Sequence, residues 1–132
     1  MNIAVDIRPL IQKQRTGVGE YTYQLLDALF RIDTENQYFL FYNSFKDVSD
    51  VLPVWKQKNV YIIATKWPNK ILNALLLVGF VKLDKLIIKK VRQTFTNHNA
   101  IKQLDIFFSP NIHFISLSKK IKHILTIHDL SF

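Results

Sequence analysis

The stretch TGVGEY, residues 16–21, stands between a short apolar run and a helical pattern, and this arrangement decides the fold of the chain. It contains Gly17 and Gly19, two of the three glycines in 132 residues. The apolar run before it, residues 3–7, predicts a buried strand. A strand, a glycine-containing loop and a helix bring a ligand to the helix N-terminus, where unpaired N–H groups and the helix dipole favour negative charge. Because no third glycine completes the dinucleotide-binding fingerprint, the spacing alone is weak support for such a site.

One strand pattern precedes this stretch, and helix and strand patterns follow it along the rest of the chain. Apolar runs bounded by proline or polar turns predict strands at residues 2–8, 38–42, 60–65, 105–110 and 124–128. Periodic patterns predict helices at residues 18–32 and about 70–95. The alternation predicts an α/β fold: one Rossmann-like three-layer domain over residues 1–132, with a mainly parallel sheet. The aromatic run at 38–42 is interpreted as core because no basic residue is interleaved with it.

Side-chain spacing assigns a buried face and a cap to the first helix. Thr16 or Gly17 is expected to be its N-cap. The face that is expected to meet the sheet carries Val18, Tyr21, Leu25, Ala28 or Leu29, and Ile32.

In parallel α/β sheets, ligands bind beyond the C-terminal ends of the strands. Three polar segments follow strands here: residues 8–19, 109–111 and 128–129. We therefore expect them to meet at one rim of the sheet, where Arg15 adds positive potential.

Composition narrows the classes of protein to consider. The residues are 48% hydrophobic and 21% charged, which is typical of a globular domain. Cysteine is absent, which excludes disulfides and cysteine-based metal sites. No helical His-x3-His pair and no Gly-x-Ser-x-Gly elbow occurs, so a zinc site and a serine hydrolase triad are not predicted. His98, His113 and His123 are interpreted as surface or loop residues. Met1 leads directly into a strand pattern, so a secretory signal is not expected.

Positive charge is concentrated in the second part of the chain. The net charge is +8, and residues 82–132 hold nine Lys and Arg against three Asp and Glu. On the long predicted helix, the basic residues Lys82, Lys85, Lys89 and Arg92 share one face beside apolar positions. Such a face can lie on an anionic membrane, or it can simply be solvated while the helix packs on the sheet. Residues 71–81 are apolar but too few to cross a bilayer.

Four segments, taken in order, carry a resemblance to a known family. They are IAVDIRPL at residues 3–10, TGVGEY at 16–21, DIFFSPN at 105–111 and LTIHDL at 125–130. At these separations the chain resembles the N-terminal domain of a family 4 (group 1) glycosyltransferase of the GT-B fold. The resemblance runs along nearly the whole chain, although no single motif is specific.

The resemblance implies an enzyme of two Rossmann-like domains that face each other across a cleft. The N-terminal domain binds the acceptor, and the C-terminal domain binds a nucleotide-sugar donor. Transfer to a glycan or lipid-linked acceptor then proceeds with retention of configuration, through an oxocarbenium-like state, without a metal or other cofactor. The setting implied is polysaccharide or lipopolysaccharide assembly, with a cytoplasmic protein that is peripheral on the inner face of the cell membrane.

The resemblance also assigns roles to particular residues. Gly17 and Gly19 approach the donor diphosphate, and His128 contacts the donor sugar. Asp129 is carried over as a neighbour that orients the histidine or the loop. From the same motifs and the same rim we add substrate-binding candidates: Arg15, Thr16 and Asn111.

The sequence departs from the family pattern because it lacks the second domain. We expect this chain alone to be inactive, as a fragment or as half of a split gene, with the C-terminal domain as its missing partner. The alternative is a non-catalytic α/β binding module that uses its basic face on an anionic membrane or on nucleic acid. For the enzyme interpretation, a nucleic-acid partner is not expected.

Overall fold

The computed structural model describes residues 1–96 and 101–128. These residues form five strands, three α-helices and a 3₁₀ turn. In chain order they are β1 (Asn2–Asp6), the 3₁₀ turn (Arg8–Leu10), α1 (Gly17–Ile32), β2 (Gln37–Asn43), β3 (Val60–Thr65), α2 (Asn69–Leu77), α3 (Leu83–Thr94), β4 (Ile106–Ser109) and β5 (Lys122–Leu125). The predicted α/β fold is confirmed.

The five strands form one sheet in the order β3-β2-β1-β4-β5, and every neighbouring pair is parallel. The central strand is β1, in which Val5 lies opposite Leu40 of β2 and Phe108 of β4. The chain leaves β1 toward β2 on one side and later returns to β4 on the other. A topological switch point therefore lies between the C-terminal ends of β1 and β4, the position where ligands bind in doubly wound sheets.

Helices cover both faces of the sheet, so the domain has three layers. Alternate strand residues point to opposite faces. Val5 and Leu40 pack with Leu26 and Phe30 of α1 in one core cluster. On the other face, α2 and α3 cover a second cluster whose strand members are Ala4, Phe39, Phe41, Ile63 and Phe107. The interpretation of residues 38–42 as core is confirmed.

The face that α1 buries differs from the predicted one. Its buried residues are Gly19, Thr22, Leu26 and Phe30, whereas Tyr21 is 38% and Ile32 is 81% exposed. The buried stripe is thus displaced by one helical position. Thr22 tolerates burial because its hydroxyl donates to the Val18 carbonyl at 2.8 Å. Phe30 anchors this face through its ring contact with Tyr38, at a centroid distance of 4.9 Å.

The prediction of one long helix at about 70–95 is wrong, because α2 and α3 are separate helices. Gly79 has a φ of 75°, the left-handed conformation that glycine adopts without steric cost. The Phe80 N–H donates to the Leu75 carbonyl and the Gly79 N–H to the Leu76 carbonyl, each at 3.1 Å. This pair of hydrogen bonds is a Schellman motif, which ends a helix.

The predicted fifth strand is displaced and is not buried. The chain pairs with β4 at residues Lys122–Leu125 rather than at 124–128. All four strand residues are exposed, because β5 lies at the edge of the sheet and no described helix covers it. Even apolar side chains are exposed here: Ile124 in the strand and Ile127 just after it are each 51% exposed.

Candidate functional site

The N-terminus of α1 opens at the switch-point rim. Thr16 is the N-cap, as predicted, and its Oγ1 accepts a hydrogen bond from the Gly19 N–H at 3.2 Å. The Glu20 N–H donates to the Thr16 carbonyl at 2.8 Å. Thr16 and Gly17 are both exposed. The first turn therefore presents a capped but accessible helix N-terminus, where the helix dipole favours an anion.

The two glycines of this turn have different surroundings. A Cβ on Gly19 would lie 2.9 Å from Arg15 Cγ and 3.0 Å from the Pro9 carbonyl oxygen, closer than normal packing allows. A Cβ on Gly17 would meet nothing within 4 Å. Gly19 thus lets α1 pack closely on the 3₁₀ turn, whereas Gly17 leaves the helix end open to an approaching ligand.

Arg15 is held by its own neighbours. Its guanidinium lies 4.4 Å from the centre of the Tyr23 ring, and its Nη1 is 3.3 Å from Glu20 Oε2. Hydrogen bonds from Gln24 and then from Arg15 lower the pKa of Glu20. Much of the positive charge predicted for the rim is therefore balanced locally by Glu20.

His128 joins three elements at the same rim. Its Nε2 lies 2.6 Å from the carbonyl oxygen of Pro110, just after β4. Its ring meets the Tyr21 ring of α1 edge to face, at a centroid distance of 4.7 Å. A carbonyl oxygen can only accept, so Nε2 carries the proton of this hydrogen bond, and in that tautomer Nδ1 can act as an acceptor. The structure thus brings His128 next to the first turn of α1.

The other predicted site residues contribute less to this rim. Asn111 follows Pro110 and is half-buried, and within residues 1–96 and 101–128 no hydrogen bond joins its side chain to His128 or to α1. Asp129 lies outside the described residues.

A polar cleft that the sequence did not indicate lies at the same end of the sheet, on the side of α2. It encloses about 240 Å³. Its lining comes from the turn after β1, the end of β2, the first half of α2 and the loop after β4. The lining residues are Arg8, Ile11, Gln12, Asn43, Asn69, Leu72, Asn73 and His113.

A buried ion pair forms one wall of this cleft. Asp6 is fully buried at the end of β1. Arg8 donates from Nε to Asp6 Oδ1 at 2.9 Å and from Nη2 to Oδ2 at 2.6 Å. A further hydrogen bond links Arg8 Nη2 to the Phe114 carbonyl at 3.2 Å. The guanidinium is therefore neutralised by a two-point contact and tied to the loop after β4.

Asn43 organises the opposite wall. Its Oδ1 accepts from Thr65 Oγ1 at 2.8 Å and from the Trp67 N–H at 2.9 Å. Its Nδ2 donates to the Trp67 carbonyl at 2.9 Å and to Asn69 Oδ1 at 2.7 Å. All four hydrogen-bonding positions of this amide are used. Asn43 thus fixes the turn from β3 into α2 and with it the position of Asn69.

His113, which the sequence analysis assigned to the surface or a loop, lines the cleft. Burial is the main cause that lowers its pKa; the charge of Asp6 raises the pKa and that of Arg8 lowers it. Its Nε2 is buried and has no hydrogen-bond partner among the described residues. The only sequence signal for this residue was its place after a strand, three residues beyond Pro110.

The four basic residues proposed as a membrane-facing stripe differ in their contacts. Lys82 donates to Ser116 Oγ at 2.9 Å, and Arg92 Nε donates to the Ile101 carbonyl at 2.9 Å. Lys85 and Lys89 are exposed. Lys82 and Arg92 therefore hold neighbouring loops against α3, while Lys85, Lys89 and Arg92 are all exposed to solvent.

The part of the chain that the structure describes contains neither a metal-ligand cluster nor a helix suited to cross a membrane. Within residues 1–96 and 101–128, no group of three His, Asp or Glu side chains is placed to hold a metal ion. In the same part of the chain, none of the helices is both long enough and apolar enough to cross a membrane.

Comparisons of the chain with protein-family models, with curated proteins and with solved structures found no match.

Proposed function

We propose that this chain is the acceptor-side domain of a GT-B glycosyltransferase that moves a sugar from a nucleotide-sugar donor to a glycan or lipid-linked acceptor. The observation that carries the proposal is the meeting of Tyr21 and His128 beside the open N-terminus of α1. These residues belong to two of the four segments that carry the family resemblance, and they lie 107 positions apart. The contact gives those two segments a common place at the switch point.

The chemistry of this rim suits a sugar diphosphate. The first turn of α1 offers backbone N–H groups and the positive end of a helix dipole. Gly17 carries no side chain that would keep a phosphate away from them, and a Cβ there would fill open space. Next to it, His128 Nδ1 can accept a hydrogen bond from a sugar hydroxyl in the tautomer that carries its proton on Nε2. A departing diphosphate gains charge, so donors fixed in advance stabilise it.

This proposal requires a second domain for catalysis. The rim described here is open to solvent, so we assign binding of the nucleotide to the C-terminal domain that the family resemblance implies. In this chain, Thr16, Gly17 and His128 form one side of the space between the two domains, and Gly19 lets α1 pack closely behind them. Arg15 stabilises the loop before α1 through its contacts with Glu20 and Tyr23.

An anionic membrane is the proposed location for a lipid-linked acceptor. The corner between α2 and α3 exposes apolar side chains: Leu77 is 71%, Val78 is 63% and Phe80 is 83% exposed. Lys82 follows this corner, and Lys85 and Lys89 are exposed on α3. Exposed apolar residues beside lysines fit the interface of an anionic bilayer. The same corner favours the alternative of a non-catalytic module that only binds membranes.

Sugar-nucleotide turnover distinguishes the enzyme from the module. We would express residues 1–132 alone and together with the coding sequence downstream, and measure consumption of a panel of nucleotide sugars. Turnover is expected only with the second domain present. His128→Ala should then lower kcat at least tenfold, while the exposed control Gln93→Ala should not. Turnover by residues 1–132 alone would contradict the two-domain proposal, and no turnover in either form would contradict the enzyme.

Vesicle binding tests the location separately. Co-sedimentation with vesicles of phosphatidylcholine and phosphatidylglycerol should fall for the variant Phe80→Ser with Lys85→Gln and Lys89→Gln. Lys82 and Arg92 are left intact because they hold loops. Unchanged co-sedimentation would remove the membrane from the proposal without affecting the enzyme.

A further inference from the structure

The cleft beside Arg8 and Asn43 differs chemically from the helix N-terminus where the donor is placed. We propose that it binds one uncharged sugar residue of the acceptor, and that it selects against acceptor groups that carry a negative charge. That the bound sugar belongs to the acceptor rests on the proposed function. The saccharide site itself follows from the residues of the cleft alone.

The cleft has no net charge to offer an anion. Arg8 is the single Lys or Arg side chain among its lining residues, and Asp6 already contacts this guanidinium through both carboxylate oxygens. Burial lowers the pKa of His113, so at neutral pH its ring is uncharged. A phosphate or carboxylate placed here would lose its hydration without gaining an unpaired cation, which is unfavourable.

The polar groups that remain are those that recognise hydroxyls. Three lining residues carry carboxamides with unused capacity: within residues 1–96 and 101–128, no hydrogen bond engages the side chains of Gln12 and Asn73 or the Nδ2 group of Asn69. His113 adds a buried Nε2 without a partner. Amides both donate and accept, as sugar hydroxyls do. Asn69 and Asn73 are four residues apart on α2, so they lie on the same helix face.

Shape and apolar surface agree with this occupant. Ile11 and Leu72 supply the apolar part of the lining, against which the C–H face of a sugar ring can pack. The volume of about 240 Å³ is below the roughly 300–1,000 Å³ of pockets for drug-sized ligands. The cleft therefore has room for about one ring, not for an oligosaccharide.

Hydrogen bonds within the protein hold the polar groups of the cleft in place without a ligand. Asn43 holds Asn69 through a 2.7 Å hydrogen bond, and Arg8 ties β1 to the loop that carries His113 through the Phe114 carbonyl. A site whose polar groups are fixed in advance loses less conformational entropy on binding.

The test is a titration of the 132-residue protein followed by amide chemical shifts. The probes are methyl α-glucopyranoside, methyl α-galactopyranoside and N-acetylglucosamine, with glucuronic acid and glucose 1-phosphate as charged counterparts. We expect at least one neutral sugar to shift amides of residues 8–12 and 69–73. Asn73→Ala should weaken its binding at least fivefold, and Gln12→Ala should weaken it measurably. Alanine has a higher helix propensity than asparagine, so Asn73→Ala should not unfold α2.

Gln93→Ala removes a matched exposed amide from α3 and should leave the affinity unchanged. Tighter binding of either charged sugar in the cleft would overturn the proposal, as would neutral-sugar affinity that is insensitive to both cleft variants, or no shift of the cleft amides by any neutral sugar. A failure of the transferase proposal would be seen in the turnover assay and not in this titration. Sugar binding without turnover would leave a carbohydrate site on a non-catalytic domain.

Discussion

Two regions at the same end of the sheet differ in how they are built. The opening of α1, residues 16–21, is a local structure with one cap, one packing glycine and an exposed partner in His128. The polar cleft is assembled from the ends of β1 and β2, the start of α2 and the loop after β4. Its supports, Asp6 and Asn43, are buried and fully hydrogen-bonded. The comparison teaches that a short motif locates an accessible helix end, whereas a shaped and rigid site requires contacts between distant segments.

The largest expected effect concerns the ion pair of the cleft. Asp6→Asn leaves the Arg8 guanidinium, whose side chain is 10% exposed, without its charge partner. Loss of one member of a buried pair costs about 3–5 kcal/mol. We expect a drop of this size in the free energy of unfolding, measured with urea. The double variant Asp6→Asn with Arg8→Met should recover part of it, because no uncompensated charge remains. A drop below about 1 kcal/mol for the single variant would show that the cleft does not depend on this pair.

Removal of the amide at the end of β2 should have the second-largest effect. Asn43→Ala leaves the Trp67 N–H and the Trp67 carbonyl without their partner and removes the nearer of the two acceptors of the Thr65 hydroxyl. Each buried group that is left unsatisfied costs about 1–3 kcal/mol, less whatever water restores. We expect about 2–3 kcal/mol in total by urea unfolding. Faster amide hydrogen exchange at residues 66–69 would locate the loss. A change confined to β2 would contradict the role assigned to Asn43.

The two glycines of α1 offer a direct contrast within the other region. Gly19→Ala places a Cβ 3.0 Å from the Pro9 carbonyl oxygen, and overpacking of this kind costs about 1–3 kcal/mol. Alanine's helix propensity offsets about 1 kcal/mol of that cost. Gly17→Ala meets open space and should leave the stability unchanged or slightly higher. Thermal unfolding of both variants measures this difference in stability. Equal melting temperatures would show that the turn accommodates the added methyl group at Gly19 without cost.

The smallest expected effect depends on pH. Burial lowers the pKa of His113 in the folded protein, so the unfolded chain binds the proton more readily. The stability that comes from the neutral ring is present above the unfolded pKa of about 6.5 and is lost as pH falls through the lower folded value. Between pH 7.5 and pH 5, the urea midpoint should therefore fall less for His113→Gln than for the unmodified protein. His123, whose pKa is also lowered by burial, acts equally in both proteins. An identical fall would contradict the burial of His113 in the cleft.

Sequence patterns predicted the order of the elements because the strands are strongly apolar. The runs around Val5, Phe39, Ile63 and Phe107 predicted the four buried strands, and Thr16 is one of the two residues predicted to cap α1. The predictions that were wrong involve competition between similar alternatives. The stripes through Tyr21 and through Thr22 are both compatible with a helical period, and the tertiary contacts of Phe30 decided between them. The apolar run predicted a strand at 124–128, and pairing with β4 places the strand at Lys122–Leu125 instead.

The candidate site was predictable only where it is local. TGVGEY is contiguous, and His128 follows a strand pattern, so both could be placed at one rim. Asn43, Asn69 and His113 carry no motif, because their relationship arises from the parallel sheet and from the turn after β3. Gly79 was visible as a glycine, but its effect depended on the hydrogen bonds that Leu75 and Leu76 accept around it.

The exposed edge at β5 has a practical consequence for handling the protein. The outer backbone groups of Lys122–Leu125 pair with no other strand in the described part of the chain, and Ile124 and Leu125 are 51% and 40% exposed. An open, apolar strand edge is a template on which further strands can add and start aggregates. Lys122 is the one charged residue of this strand and acts as a gatekeeper. A second lysine at Ile124 should therefore raise the concentration at which light scattering first appears, without a change in the far-ultraviolet circular dichroism.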